Sequence, residues 1–275
     1  MLRAEGIGYT IEGKQILQGI DTLFLPGQFN MILGPNGSGK SSLLKIISGE
    51  ISNHNGKITY DGTPLASLEK EELAKFRAVM SQQPELSFPL TAEEVVMMGR
   101  YPHFVFNPGK KDEEICRAVM EKMNLQAFRE RNYLTLSGGE KQRVQYARVL
   151  AQVWEKTNNR PRYLFLDEPL NSLDIHYQQE FLQLAREFQQ EDTVLVAVLH
   201  DINLAIQYAD RLFFLKEGRL AAQGSPEEIV TEELIHDIFN VRSAIIRNPV
   251  SGAPGDRSCA NRSRISSTCF LYLSE

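Results

Sequence analysis

Residues 29–49, FNMILGPNGSGKSSLLKIISG, read as a strand, a glycine-rich loop and a helix in immediate succession. The strand-length run FNMIL enters the loop directly, and Leu43, Leu44, Ile46 and Ile47 then recur at helical spacing before a terminating Gly49. The loop GPNGSGKS satisfies the pattern G-x-x-x-x-G-K-S/T, and a strand before it with a helix after it is the context that gives the pattern physical meaning. Glycines at 34, 37 and 39 let backbone N–H groups curl around a phosphate, and the helix N-terminus adds its dipole. Lys40 would bridge the terminal phosphates and the Ser41 hydroxyl would face a magnesium ion. Gly34, Pro35, Asn36, Gly37, Ser38, Gly39, Lys40, Ser41 and Ser42 are the candidate nucleotide contacts.

Phosphates held this way need a metal partner and a base. YLFLDEP, residues 163–169, offers both at the end of a buried-type strand: Asp167 for the Mg²⁺ shell and Glu168 to polarise an attacking water. A second such strand, TVLVAVLH, ends at His200, at the carboxyl edge where open α/β sheets bind ligands, so His200 could donate to a terminal phosphate. Gln82, in AVMSQQP, has an amide long enough to reach Mg²⁺ or the lytic water. Between the two strands lies the helix-like IHYQQEFLQLAREFQQ, the alternation expected of a parallel sheet.

The opening third reads as short strands with glycine turns, Asp61-Gly62 being a hairpin signal. From Glu69 to about Trp154 the pattern turns helical, broken by SFPLTAEEVVMMGRYPHFVFNPG, and no strand of comparable quality is expected there. RLFFLKEGRLAAQG reads as a hairpin and TEELIHDIF as a helix, after which regular patterning ends. Residues from about 241 to 275 carry five Arg against one Asp and one Glu, with many Ser and two of the three Cys, and read as an irregular tail.

A formal net charge of −5 gives no global field for polyanions and argues against nucleic acid as a partner. Cys116, Cys259 and Cys269 suit neither a disulfide framework nor a zinc site, which fits a reducing cytoplasm. The chain opens without the apolar stretch of a secretory signal, and no apolar run approaches the ~18 residues a membrane span needs. Any membrane role must come through a partner.

LSGGEKQRVQYARVLAQVW, from Leu136, is a helix with an apolar stripe at Val144, Ala147, Ala151 and Trp154, opened by Ser137-Gly138-Gly139. Its N-terminus is a second anion-holding end in a chain with one nucleotide site, which suggests completion of a site on another copy. From about Leu2 to Phe239 the chain resembles the nucleotide-binding subunit of an ABC transporter: GPNGSGKS, Gln82, LSGGE, LFLDEP, NSLD and LHD stand in that family's order and spacing.

The resemblance implies an α/β P-loop NTPase fold with an N-terminal antiparallel β subdomain and a helical signature subdomain. The ABC domain would span 1–240, with core and β subdomain at about 1–83 and 161–240, the helical subdomain at about 84–160 and the tail at 241–275. It implies ATP and Mg²⁺ as cofactors, the metal held by Ser41, Gln82 and Asp167, and catalysis by Glu168, His200 and Gln82. It implies a head-to-tail homodimer in which Ser137, Gly138, Gly139 and Glu140 of one subunit complete the ATP site around Lys40 of the other. Tyr9 matches the aromatic that stacks on adenine, and Asp174 the aspartate of the loop linking the two sites. Leu170-Asn171-Ser172 stands where the family usually has Thr-Ser-Ala, and Ser42 replaces a common Thr.

LSFPLTAEEVVMMGRYPH looks like the permease-docking segment of iron-complex and cobalamin importers, where Gln82 would couple nucleotide to the membrane subunit. The signature helix, the connector EKTNNRPRYLFLDEP and the segment around LHD most resemble haemin importers. The expectation is an ATP hydrolase peripheral to the cytoplasmic face of a bacterial inner membrane, acting with a permease dimer and, indirectly, a periplasmic or surface haem-binding protein. A siderophore or cobalamin importer, an ABC-type assembly ATPase and a solitary P-loop kinase are the competing readings. His54, His103, His176 and His236 read as surface or packing residues. Beyond about Pro249 the tail departs from the family, which suggests an altered reading frame or a non-native end.

Overall fold

The computed structural model describes residues 1–81, 86, 88–156, 160–171, 173–190, 192–246 and 270–274. The chain begins with strands β1 (Leu2–Ile11), β2 (Lys14–Phe24) and β3 (Gln28–Leu33), helix α1 (Lys40–Ile47), strands β4 (Asn55–Tyr60) and β5 (Thr63–Pro64), helix α2 (Lys70–Phe76) and strand β6 (Arg77–Met80). Three helices follow, α3 (Ala92–Met97), α4 (Lys110–Lys122) and α5 (Gly138–Gln152), with short 3-10 turns between them. The chain then returns to alternation: β7 (Arg162–Asp167), α6 (Ile175–Phe188), β8 (Thr193–Val198), α7 (Ile202–Tyr208), β9 (Arg211–Lys216) and β10 (Arg219–Gly224). Helices α8 (Pro226–Ile229) and α9 (Glu232–Phe239) and strands β11 (Arg242–Ile246) and β12 (Phe270–Ser274) end it.

Two sheets carry the site. The first is antiparallel, in the order β2-β1-β4-β5. Its two-residue turns, Glu12-Gly13 and Asp61-Gly62, have φ of 48° and 79° and of 48° and 78°. Positive φ at both positions is the turn whose twist matches the flanking strands, as the Asp-Gly step predicts. The second sheet runs β10-β9-β3-β8-β7-β6, parallel except for β10.

Strands β7 and β8 are buried along their whole length, and their alternating residues enter two different cores. Tyr163, Phe165, Val194, Val196 and Val198 join α1 and the antiparallel sheet, while Leu164, Leu166, Leu195 and Ala197 join the helical face. Both faces of the parallel sheet are therefore covered, the condition under which near-continuous apolar strands are stable.

Register then sets the edge. Ile32 of β3 and Asp167 of β7 both pair with Val198 of β8, so these strands finish level and their following loops emerge side by side. The expected parallel core is what forms.

Two expectations change. Arg77–Met80 is a strand of the core sheet, pairing with Tyr163–Leu166, within the stretch read as helical. Four residues are too few for a period to register against the helices on either side. In the tail, β11 and β12 pair antiparallel, Arg242 with Ser274 through Ile246 with Phe270, so regular structure extends past 241. Residues 247–269 and 275 lie outside those described. No helix among the described residues is long and apolar enough to cross a membrane.

Candidate functional site

The phosphate loop leaves β3 at Leu33 and bends through Gly34, whose φ is 150°. A Cβ there would lie 2.1 Å from the Leu215 carbonyl oxygen of β9, so the loop can pass only as glycine. At Gly39, φ 99°, a Cβ would meet Leu17 Cδ2 at 2.6 Å. The loop is thus pressed between β9 and β2. The turn joining β9 to β10 adds a clamp: Gly218 N–H donates to the Ser38 carbonyl (3.2 Å) and its own carbonyl accepts from Gln18 N–H (2.8 Å).

Within the loop, Lys40 is buried and donates from Nζ to the Gly34 and Pro35 carbonyls at 2.8 and 3.0 Å. Those bonds hold the ammonium over the loop. Burial lowers its pKa, opposed by the charges of Glu168 and Asp167. Ser38 Oγ is buried with no hydrogen-bond partner among the described residues, an orphan that a phosphate oxygen would satisfy. Helix α1 starts at Lys40 with Gly39 as its N-cap and no side-chain cap, leaving its first N–H groups to the loop. Pro35 and Ser42 are half-buried, and Asn36 and Gly37 exposed.

Ser41 Oγ donates to Asp167 Oδ1 at 2.9 Å, joining the helix start to the end of β7. Burial raises the Asp167 pKa, the Ser41 hydroxyl opposes this, and the neighbouring Glu168 charge adds to it. A hydroxyl and a buried carboxylate that lacks a full countercharge form an oxygen donor set suited to Mg²⁺.

Glu168 takes a left-handed backbone, φ 51°, where the chain leaves β7, and its N–H donates to the Val198 carbonyl at 3.2 Å. Its Oε1 lies 2.7 Å from His200 Nε2 and its Oε2 accepts from Asn171 Nδ2 at 2.6 Å. Burial alone would raise its pKa, but the His200 and Asn171 hydrogen bonds and the His200 and Lys40 charges outweigh it and hold the carboxyl below the usual range. Asp167, Glu168 and His200 therefore gather with Lys40 at one sheet edge, as their strand-end positions predict.

Tyr9 is half-exposed on β1 and pairs in register with Leu17 of β2, the residue that a Cβ at Gly39 would meet. Gln82 lies outside the described residues.

The signature element is built differently. Ser137 caps α5: its Oγ accepts from Glu140 N–H at 3.3 Å, and Glu140 Oε2 accepts from Ser137 N–H at 2.7 Å. Ser137 and Gly138 are exposed, and nothing lies within 4 Å of a Cβ on Gly138. No described hydrogen bond or ion pair joins 137–140 to 34–42 of the same chain. Instead the α5 start meets the loop after β7: Gln142 Nε2 donates to the Pro169 carbonyl, and Gly139 faces Leu173. Asp174 ends that loop as the N-cap of α6, accepting from Tyr177 N–H at 3.1 Å.

Sequence reasoning did not assign Asn171, Gln142 or Gly218 to the site. Gly218 carried a usable signal, an Glu-Gly turn between apolar runs; the other two depend on tertiary contact.

The chain matches the ABC transporter family model over residues 17–171. It is 45% identical over 254 residues to the hemin import ATP-binding protein HmuV of Gloeobacter violaceus, covering 92% of each chain. It is 42% identical to the protein of the same name from Mesorhizobium japonicum, covering 92% of this chain and 97% of that one. Among solved structures, cbiO1 of Clostridium perfringens, part of the ABC transporter complex cbiONQ, superposes with a TM-score of 0.72 at 28% identity, over 87% of this chain and 94% of that one. A bacterial ABC transporter cassette solved as a dimer does so with a TM-score of 0.69 at 27% identity, over 82% and 99%. This chain belongs to the ABC transporter family, as one of its ATP-binding subunits.

Proposed function

We propose that this subunit hydrolyses ATP at the edge formed by β3, β7 and β8 to power import of haem through a membrane permease, working as a head-to-tail dimer. The observation that carries the reading is the convergence of Lys40, the Ser41–Asp167 pair and the Glu168–His200 pair at one level of the sheet, in a chain 45% identical to a hemin import ATP-binding protein.

Lys40 and the loop amides would hold the β- and γ-phosphates, and Ser41 and Asp167 would hold Mg²⁺, to which the family resemblance adds Gln82 as a ligand. Bound there, the ion would neutralise charge on the phosphate oxygens. Glu168, kept ionised by its donors, accepts the proton of a water in line with the terminal phosphate, and His200 donates to that phosphate's oxygen. Tyr9 stacks on the adenine. Ser137, Gly138 and Gly139 approach the γ-phosphate of the partner subunit's ATP, and Asp174 lies at the contact between the two sites.

A docking partner is supported by the helical subdomain, where Phe88, Val105 and Phe106 are 71%, 88% and 91% exposed and where Val105 and Phe106 line one largely apolar surface with Tyr101 and Phe104. That surface would seat on the permease at the cytoplasmic face of a bacterial inner membrane. The test is the ATPase rate of the subunit reconstituted with its permease, with and without a haem-loaded binding protein. Stimulation specific to haem is expected. Stimulation by a siderophore or cobalamin complex instead would keep the mechanism and replace the cargo, and failure to assemble with any permease would overturn the importer reading.

A further inference from the structure

The loop from Glu168 to Asp174 contains one side chain that the reaction as derived does not use. Asn171 is exposed, yet its amide is committed to Glu168 Oε2 at 2.6 Å. A carboxylate only accepts hydrogen bonds, so the atom facing it is the amide nitrogen, donating. The opposite oxygen, Oε1, is held by His200 at 2.7 Å. Both carboxylate oxygens are thereby fixed from two elements that move independently of the glutamate's own side-chain torsions: the loop after β7 and the loop after β8.

The bond is not needed to close the turn. The Asn171 main-chain N–H donates to the Glu168 carbonyl at 3.3 Å, and Leu173 N–H donates to the Leu170 carbonyl at 3.2 Å. Glu168 N–H is meanwhile fastened to Val198 of β8 at 3.2 Å. The backbone is thus secured without the side-chain amide, and what the amide adds is the orientation of the carboxylate. A glutamate has three rotatable side-chain bonds, and a base must present a lone pair along one direction to be effective. Of these two donors, His200 can give up or take a proton, whereas an amide cannot, so Asn171 orients the carboxylate and helps to keep it ionised but takes no proton itself.

We infer that Asn171 is a positioning residue for ATP hydrolysis, fixing the Glu168 carboxylate from the side opposite His200. The inference rests on the reading of Glu168 as the base. It predicts that Asn171→Asp, which keeps the shape but replaces the donor with a like charge, and Asn171→Ala lower kcat, the former more severely.

The test is steady-state Mg-ATP hydrolysis by the full chain with these variants, together with ATP-dependent dimer formation in a Glu168→Gln background. A fall in kcat of about tenfold or more, with KM for ATP changed by less than about twofold, is expected. In the Glu168→Gln background, Asn171→Asp should leave the ATP-bound dimer intact and residual turnover no lower, because the group it positions has already lost its function. Wild-type kcat in both Asn171 variants, with Glu168→Gln inactive, would overturn the inference alone. A raised KM with loss of the trapped dimer would assign Asn171 to loop integrity and also overturn it. Near wild-type turnover by Glu168→Gln would instead remove the base reading on which the inference stands.

Discussion

Glu168 shows how a single side chain is prepared for its chemistry. Its pKa is pushed up by burial and pulled down further by His200, Asn171 and Lys40, so the carboxyl is ionised at neutral pH, the form a base requires. Glu168→Gln keeps the shape and an oxygen that can still face His200, but its amide cannot take a proton from water. We expect it to bind ATP, lose hydrolysis by a factor of ~10²–10⁴ and persist as an ATP-bound dimer, checked by turnover and by size-exclusion chromatography with nucleotide. Turnover like wild type would refute the base assignment. Much of this scale was legible in the sequence because the loop residues 34–42 are covalently contiguous and their chemistry follows from order alone. The Asn171–Glu168 bond was not, since it exists only once Glu168 adopts its φ of 51° and turns back over its own loop.

At the scale of elements, the helical subdomain is tied together by a charge in its interior. Arg100 is buried, with Nε donating to Asp112 Oδ1 at 3.0 Å, Nη1 to the Ala151 carbonyl at 2.8 Å and Nη2 to Glu155 Oε2 at 3.4 Å. One guanidinium thereby joins the turn before Phe104 to α4 and α5, in the subdomain whose apolar surface is proposed to meet the permease. Arg100→Met would take the cation from Asp112, whose Oδ2 keeps its bond from Gly109 N–H at 2.9 Å, and the side-chain donor from the Ala151 carbonyl, a change worth on the order of 2–4 kcal/mol. The expected outcome is a lower urea midpoint for the subunit with nucleotide affinity at the phosphate loop retained; an unmoved midpoint would show that the node contributes no stability. Sequence periodicity could not reveal this joint, because Arg100, Asp112 and Glu155 are far apart in the chain. For a related reason it missed β6, whose membership in the core sheet is decided by its parallel pairing with β7. Long elements such as β7, β8 and α5 were legible because burial on both faces or along one stripe repeats over enough residues to be seen.

The arrangement of the whole molecule explains why one chain carries two glycine-opened helix starts. The α1 start carries Lys40 and Ser41 and joins Asp167, whereas the α5 start, exposed at Ser137 and Gly138, bonds among the described residues within its own turn, through Glu140 to Arg131, and to the loop after β7. A subunit so built has a half-site of each kind, and the proposed head-to-tail pairing would complete both. This makes a prediction that single variants cannot. Lys40→Ala should be inactive for want of a phosphate-binding ammonium, and Ser137→Arg should be inactive because it blocks the neighbour's γ-phosphate while its own loop still binds ATP. Mixed together, the two chains form a heterodimer in which the intact loop of the Ser137→Arg subunit meets the intact signature of the Lys40→Ala subunit, and the other interface carries both defects. Activity should therefore return on mixing, rising with the heterodimer fraction toward about half the wild-type rate per dimer if the sites turn over independently. If each signature served the loop of its own chain, every subunit in the mixture would hold one defect and no activity would return. A mixture that stays inactive while size-exclusion chromatography shows heterodimers would thus reject head-to-tail completion, and recovery would establish it without a structure of the dimer.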